Sequence, residues 1–452
     1  MNKNQTLTVR IESLTGKGVG IARCDGQVIF VPAVAQGDLC EIKIIKLTSS
    51  YAVAKLEKVI EYSPERIMNS CSAFPRCGGC SFRHVSYNEE LHVKKQTVAD
   101  ALTRIGGLEV SVDDVVSTGE TDNYRNKAQY PIGVKDGRIV FGFYSNHSHR
   151  IIPCDDCKIQ PDIFNEIMRY ATVFFNNNKL SAYDELTGNG LLRHCYLRIN
   201  KSGGVMFCLV VNSNGFKYEK EFAEYLSKRK EIVSVFINFN QMNSNVILSD
   251  NFKCIYGNEY IEDEFFGLAL RMSPDSFYQV NRKAAEILYK TAFDKLERKA
   301  FENVFDLYCG VGSIGLSLVK YAKENGISVK RVIGYEVVEK AIASAKQNAA
   351  NNGIQNAEFY VGDLNSAPTR IMEEIPPSLV IVDPPRKGCS KELVDMFLEL
   401  DVPYILYISC DPATLARDLK ILSEKYNISS VTPVDLFPRT AHVECTTLLE
   451  RK

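Results

Sequence analysis

Phe305-Asp306-Leu307-Tyr308-Cys309-Gly310-Val311-Gly312-Ser313-Ile314-Gly315 reads as the end of an apolar strand, a glycine turn and the opening of a helix. Glycine permits the tight turn and lets backbone approach a ligand closely, so Gly310 is a candidate cofactor contact. Outward from this point the chain alternates. Helix 281–297 leads to strand 303–307, then helix 313–325, strand 331–336 and helix 338–352. Strand 357–361, a helix near 368–375, strand 378–382, helix 390–400, strand 403–409 and helix 412–425 follow, with closing strands near 428–435 and 445–450. Such alternation predicts a mostly parallel, doubly wound α/β sheet of the Rossmann type. Ligands of such sheets lie at the C-terminal ends of the strands.

Those strand ends carry the chemistry. The second strand ends in Glu336, where a carboxylate can accept hydrogen bonds from both hydroxyls of an adenosine ribose. The third ends in Gly362-Asp363, within reach of an adenine amine. A single acid at a strand end is an ordinary turn residue; the ordered set points to a nucleotide. A dinucleotide and S-adenosylmethionine both fit, and the fourth strand separates them. Val380-Ile381-Val382 runs into Asp383-Pro384-Pro385-Arg386. Proline fixes the backbone and donates no N–H, so this loop is a rigid acidic lip. A methyltransferase acting on a planar nitrogenous ring gains from that lip; a dehydrogenase has no evident use for it.

The fifth strand, Tyr404 to Ser409, delivers Cys410 to the same edge, followed by Asp411-Pro412. A thiolate can add to an electron-poor carbon and later leave, which suits covalent catalysis on a pyrimidine. A cysteine after a strand is usually a buried hydrophobe; its place at the ligand edge argues otherwise. Glu444, in Ala441-His442-Val443-Glu444-Cys445, precedes the last strand and could face Cys410 as a base.

The chain has 14 Cys and no Trp. Met1–Thr8 lacks the apolar core of a signal peptide, and no run approaches the ~20 apolar residues of a membrane span. A cytoplasmic protein with reduced thiols is expected, its clustered cysteines serving metal or catalysis. Cys71-Ser-Ala-Phe-Pro-Arg-Cys77-Gly-Gly-Cys80 sets three thiols close together, and Cys154 and Cys157 follow later. Four thiolates can hold zinc or an iron–sulfur cluster. The spacing lacks the two local pairs of a zinc finger, which favours a cluster with Cys157 as fourth ligand and Cys154 as the alternative.

At 452 residues the chain has room for about three domains. With 45% hydrophobic and 24% charged residues it is neither a disordered polymer nor a disulfide mini-protein. Net charge is −1, so no global basic field marks a nucleic-acid partner. Residues 5–60 alternate apolar and polar in five or so short runs divided by glycines, as in a small closed barrel. Eight Lys/Arg against five Asp/Glu over residues 1–60 give a local excess of +3. An amphipathic helix is expected over 88–105, with Leu91, Val98, Leu102 and Ile105 near one face. Residues 120–270 read as α+β, with strand Gly204–Asn212 and helix Tyr218–Lys228.

The constellation resembles the S-adenosylmethionine-dependent RNA uracil-5-methyltransferases. It is carried by Cys71/Cys77/Cys80/Cys157, Ser276-Phe-Tyr-Gln279-Val-Asn281, Asp306-Leu-Tyr308-Cys-Gly310-Val-Gly312, Asp383-Pro-Pro-Arg386, Ser409-Cys410-Asp411-Pro412 and His442-Val-Glu444. The resemblance spans residues 71–452, and residues 5–60 look like that family's TRAM domain, an RNA-binding small barrel of OB-like form. It implies a [4Fe-4S] cluster on Cys71, Cys77, Cys80 and Cys157. It also implies cofactor contacts from Gln279, Tyr308, Glu336 and Asp383, with Cys410 as nucleophile and Glu444 as general base. Asp411 stands where the family usually has Asn, which changes a charge beside the nucleophile.

The expected domains are a TRAM-like barrel over 1–61, a cluster-bearing α+β domain over 62–88 and 118–272, and a catalytic domain over 89–117 and 273–452. Arg386 and the stretch 124–129 are candidate RNA or uracil contacts. The expected partner is RNA, 23S ribosomal RNA ahead of transfer RNA, acted on by a monomer through base flipping. Two other readings compete: an NAD- or FAD-dependent iron–sulfur oxidoreductase, and an RNA-binding protein without activity.

Overall fold

A computed structural model describes residues 1–146, 148–296, 300–364 and 367–452, the side chains of 367–370 excepted. Short strands with buried alternate residues curl the N-terminal end into one sheet. β1 (Thr6–Arg10), β2 (Ser13–Leu14), β3 (Gly20–Cys24), β4 (Gln27–Val31), β5 (Leu39–Leu47) and β6 (Tyr51–Glu61) pair in the order β1-β5-β6-β4-β3-β2. Beyond β1 the chain reaches β3, where Glu12 N–H donates to Ile21 O at 2.8 Å and draws the two edges together. Val9, Ile11, Ile29, Val31, Ile42 and Ile44 fill the interior. Six strands stand where five or so runs were expected, and β2, with two residues, is too short to show an alternation.

Ser86 caps α1 (Tyr87–Ala101), its hydroxyl accepting from Glu89 N–H at 3.1 Å. The helix then widens into a π-helical turn over Leu102–Gly106 that ends at Gly107, φ 65°. The apolar face expected over 88–105 is corrected here. Val98 and Leu102 are buried and Leu91 is half-buried, but Ile105 is 47% exposed. The wider turn breaks the 3.6-residue period that would have kept Ile105 on that face.

The middle of the chain forms a sheet in the order β13-β12-β11-β10-β7-β8-β9. Its strands are β7 (Lys127–Lys135), β8 (Arg138–Tyr144), β9 (Ile151–Pro153), β10 (Leu192–Ile199), β11 (Val205–Val211), β12 (Ile232–Phe239) and β13 (Phe252–Gly257). Helices α2 (Asp162–Asn177) and α3 (Glu219–Leu226) cover one face. Every residue of β11 is buried because both of its faces are covered. Val205, Phe207, Leu209 and Val211 point into the core under α2 and α3. Met206 and Cys208 join a second core shared with a hairpin, β14 (Ile261–Phe265) and β15 (Leu268–Met272), and with α4 (Arg282–Asp294). Residue 297, the end expected for that last helix, lies outside the described residues.

From there strands and helices alternate as expected. They are β16 (Ala300–Leu307), α5 (Ser313–Glu324), β17 (Ser328–Glu336), α6 (Glu339–Asn351), β18 (Ala357–Val361), α7 (Ala367–Glu374), β19 (Leu379–Val382), α8 (Lys391–Glu399), β20 (Tyr404–Ser409) and α9 (Pro412–Leu422). The closing strands are β21 (Tyr426–Ile428), β22 (Thr432–Val434) and β23 (Glu444–Arg451). The strand expected at 428–435 is two short ones, parted at Ser429, whose N–H donates to Leu448 O of β23 and whose hydroxyl accepts from Leu448 N–H. The sheet order is β18-β17-β16-β19-β20-β23-β21, with β16 to β20 parallel to their neighbours and β23 antiparallel to β20. Residues alternate between its two faces: Ile381, Leu406 and Ile408 feed one core, and Val380, Val382, Ile405 and Tyr407 the other. The order reverses between β16 and β19, which opens a crevice at their C-terminal ends. Among the described residues no helix is long and apolar enough to cross a membrane.

Candidate active site

The crevice is the mouth of a cavity of ≈ 1890 Å³. Its floor is the turn after β16. Tyr308, Gly310 and Gly312 adopt left-handed backbone, φ 63°, 53° and 79°. A Cβ on Gly312 would stand 2.9 Å from the Phe359 ring, so both conformation and space require glycine there. Beneath the turn Asp306 is fully buried, one carboxylate oxygen accepting from Gly315 N–H at 2.8 Å. Burial pushes its pKa up to about 7 against that hydrogen bond. Tyr308, Gly310, Glu336, Asp363, Asp383 and Gln279 all line this one cavity. Glu336 is held in place by Val338 N–H at 3.0 Å.

Cys410, Glu444 and Arg386 line the same cavity. Antiparallel pairing sets Ser409 opposite Cys445, so the next step along both strands brings Cys410 beside Glu444, the first residue of β23. Glu444 is buried, and loss of water, reinforced by the Asp383 charge, raises its pKa to about 8 despite Arg386. Asp383 is recessed enough that desolvation lifts it to about 7. The Cys410 thiol is pushed up to about 12 by desolvation and then by the Glu444 and Asp383 charges, with Arg386 opposing. The resting thiol is therefore protonated at neutral pH. Arg386 Nη2 stands 3.3 Å from the His442 ring at the rim.

Asp411 caps α9, one carboxylate oxygen accepting from Ala413 N–H at 2.9 Å and Thr414 N–H at 3.2 Å. An asparagine oxygen would accept the same bonds, so the departure from Asn leaves the cap intact. Of the stretch 124–129, only Arg125 lines the cavity. Tyr124 OH donates to Pro438 O at 3.0 Å, and Asn126 Nδ2 donates to Gln279 O at 2.8 Å. They brace other segments, and their sequence gives no sign of it because both partners are backbone carbonyls far along the chain. Sequence reasoning also missed the cavity's outer wall: Lys17 of the barrel and Gly78, Gly79 and Ser81 of the thiol loop.

Cys71, Cys77, Cys80, Cys154 and Cys157 surround a second, small cavity with Phe74, Phe143 and Ile159. The thiols act on one another: Cys154 pushes the Cys71 pKa up, and Cys157 pushes Cys154 up. Burial holds the Cys80 thiol at about 12. All the cysteines are free. Among the described residues no three His, Cys, Asp or Glu side chains close into a metal-holding group. The donor set suits a thiolate-bound group, since five thiols from two segments converge on one apolar pocket. Both Cys157 and Cys154 reach it, so the convergence does not choose between them.

Comparison with known proteins bears on this arrangement. Residues 370–452 match the tRNA (uracil-5-)-methyltransferase family, residues 299–383 a methyltransferase domain and residues 2–56 the TRAM domain. A Halalkalibacterium halodurans protein named as an uncharacterized RNA methyltransferase is 37% identical over 100% of this chain and 98% of its own. One from Clostridium tetani is 38% identical over 99% of this chain and 97% of its own. The solved Pyrococcus abyssi tRNA (uracil-54, C5)-methyltransferase in complex with S-adenosyl-L-homocysteine superposes with a TM-score of 0.76 at 27% identity, covering 98% of this chain and 100% of that one.

Proposed function

The chain belongs to the S-adenosylmethionine-dependent RNA uracil-5-methyltransferase family, and from that premise we propose that it makes 5-methyluridine in 23S ribosomal RNA through a covalent Cys410 adduct. The oxidoreductase and inactive-binder readings lose their footing with that membership. The observation that carries the mechanism is that the β20–β23 register, ending at Ser409 opposite Cys445, sets Cys410 and Glu444 side by side at the cavity that holds Asp383 and the glycine turn.

Gln279, Tyr308, Gly310, Glu336, Asp363 and Asp383 would hold S-adenosylmethionine, which supplies an electrophilic methyl group. Uracil C5 is too weak a nucleophile to take that methyl unaided. Cys410 sulfur bonds to C6 as a thiolate, placing electron density on C5 and the C4 oxygen. Its proton must leave first, and the neighbouring Asp383 carboxylate is the acceptor at hand, which keeps Glu444 free for the later proton. C5 then bonds the methyl carbon as the methyl–sulfur bond breaks, its electron pair leaving on sulfur with S-adenosylhomocysteine. Glu444 removes the C5 proton, the C5–C6 double bond re-forms and the Cys410–C6 bond breaks, returning the thiolate. A carboxyl with a pKa near 8 is well matched to taking a proton close to neutral pH. The target base reaches this recess only by leaving its stack. Lys17, Arg125 and Arg386 at the mouth would meet phosphates around it.

Cys71, Cys77, Cys80 and Cys157 would hold a [4Fe-4S] cluster, which joins segments 71–80 and 154–157 without regular secondary structure. The domains divide at 1–61, at 62–88 with 118–272, and at 89–117 with 273–452, and the protein acts as a monomer in the cytoplasm.

The direct test is to map 5-methyluridine in 23S ribosomal and transfer RNA from cells lacking the protein. The expected result is loss at one or more 23S uridines with transfer RNA unchanged. Loss confined to transfer RNA would contradict the assignment of substrate.

A further inference from the structure

Glu444 is brought to the site by a loop in which four successive carbonyls, Leu436 to Arg439, are taken. Val434 pairs with Glu444 across β22 and β23, so residues 435–443 close on the base itself. Asn281 Nδ2 donates to Leu436 O at 3.0 Å, and Lys94 Nζ donates to Phe437 O at 3.3 Å. Tyr124 OH donates to Pro438 O at 3.0 Å. Ser81 and Phe82 N–H donate to Arg439 O at 2.7 and 3.2 Å. The donors come from the start of α4, from α1, from the approach to β7 and from the thiol loop just past Cys80.

Behind that backbone lies a buried set of four charges. Lys94, 1% exposed, bonds Glu90 at 2.8 Å and Asp435 at 2.7 Å. Arg439 donates its backbone N–H to Glu90 at 2.6 Å and Nη1 to Val85 O at 3.0 Å. Tyr87 OH donates to Asp435 at 2.8 Å. Arg439 itself is left-handed, φ 68°, a strained backbone for a side-chain-bearing residue. Two carboxylates and two cations out of water are a poor source of stability. What they supply is a fixed position. The loop continues it: Thr440 Oγ1 donates to Phe437 O at 2.8 Å, and His442 N–H to Thr440 Oγ1 at 3.3 Å, two residues short of the base.

We propose that Lys94, Tyr124 and Arg439 are positioning residues for Glu444, and that the thiol loop is tied to the base through the Ser81 and Phe82 bonds to Arg439 O. The link rests on the covalent mechanism above and gives it a consequence. A loop that has drifted leaves Cys410 and the methyl acceptor where they were, so addition and methyl transfer proceed. Proton removal from C5 then fails, and the methylated adduct accumulates on Cys410.

Arg439→Lys keeps the charge and loses the fork; Tyr124→Phe deletes one hydroxyl and keeps the ring. Each is assayed with substrate RNA for kcat, KM and the fraction of protein in a denaturation-resistant RNA adduct, beside Glu444→Gln. The expected result is a kcat lower by about tenfold or more, KM for RNA within about twofold, and accumulated adduct in both variants. Added to Glu444→Gln, neither substitution lowers the rate further, because both act through the same group. A lowered kcat without adduct, or an additive loss in the double variants, overturns the link while Glu444→Gln still traps adduct. If Glu444→Gln turns over slowly with no adduct at all, the covalent reading falls and the link falls with it.

Discussion

Two sets of thiols occupy this molecule and are placed in opposite ways. Cys410 follows the last residue of β20, and backbone pairing alone sets its neighbour, since Ser409 opposite Cys445 puts Cys410 beside Glu444. A slip of one residue would turn it to the other face of the sheet. Cys71, Cys77, Cys80, Cys154 and Cys157 lie instead on irregular segments, where an isolated bridge from Cys77 to Ser145 is the nearest thing to a ladder. No ladder register fixes their convergence on one pocket. The lesson is that one residue type carries opposite expectations: chemistry without structural consequence at Cys410, structure with chemistry following at the five.

The comparison is broken most sharply by Cys410→Ala. Methyl transfer should become undetectable, while the melting temperature stays within about 2 °C of the parent, because a half-buried strand-end side chain contributes little packing. A large loss of stability would show that Cys410 belongs with the structural thiols after all. Next in size is Cys157→Ser, which should lose bound iron and lower the melting temperature. Cys154→Ser should retain more iron, as measured by metal content and absorbance. The reverse order would make Cys154 the fourth ligand.

The pH–rate profile gives a smaller effect. Glu444 works as a base only when ionised, and its pKa is raised to about 8. Turnover should therefore rise with pH through about 8 rather than near the ordinary glutamate value of about 4.3. Arg386 opposes that rise, so Arg386→Met should move the midpoint to higher pH; a shift to lower pH would contradict the electrostatics of the site. Smallest is Lys17→Ala at the outer wall. It should raise KM for RNA severalfold at most and reduce the salt slope of binding by about 1, with kcat unchanged.

The two regions also differ in how far their sequence discloses them. The catalytic sheet is legible because buried strands and amphipathic helices have different periods, and Glu336, Asp363, Asp383 and Cys410 stand where those strands stop. The thiol set is legible only as residue types; nothing in the spacing says that Cys154 and Cys157 reach the same pocket. Ile105 escapes prediction because a π-helical turn leaves no mark in hydrophobic periodicity. Tyr124, Asn126 and Arg439 escape for another reason. Each bonds a backbone carbonyl more than a hundred residues away, and a carbonyl is the same at every position of the chain. The arrangement around Glu444 is thus the part of the site that only the folded structure discloses.

The central claim is that Cys410 bonds uracil and Glu444 releases the product. Glu444→Gln protein incubated with substrate RNA and S-adenosylmethionine labelled in its methyl group tests it on a denaturing gel. The account predicts a slow-migrating protein–RNA band that carries the methyl label and vanishes when Cys410→Ala is added. A labelled band that survives in the double variant, or its absence from Glu444→Gln while the parent protein methylates the same RNA, would contradict it.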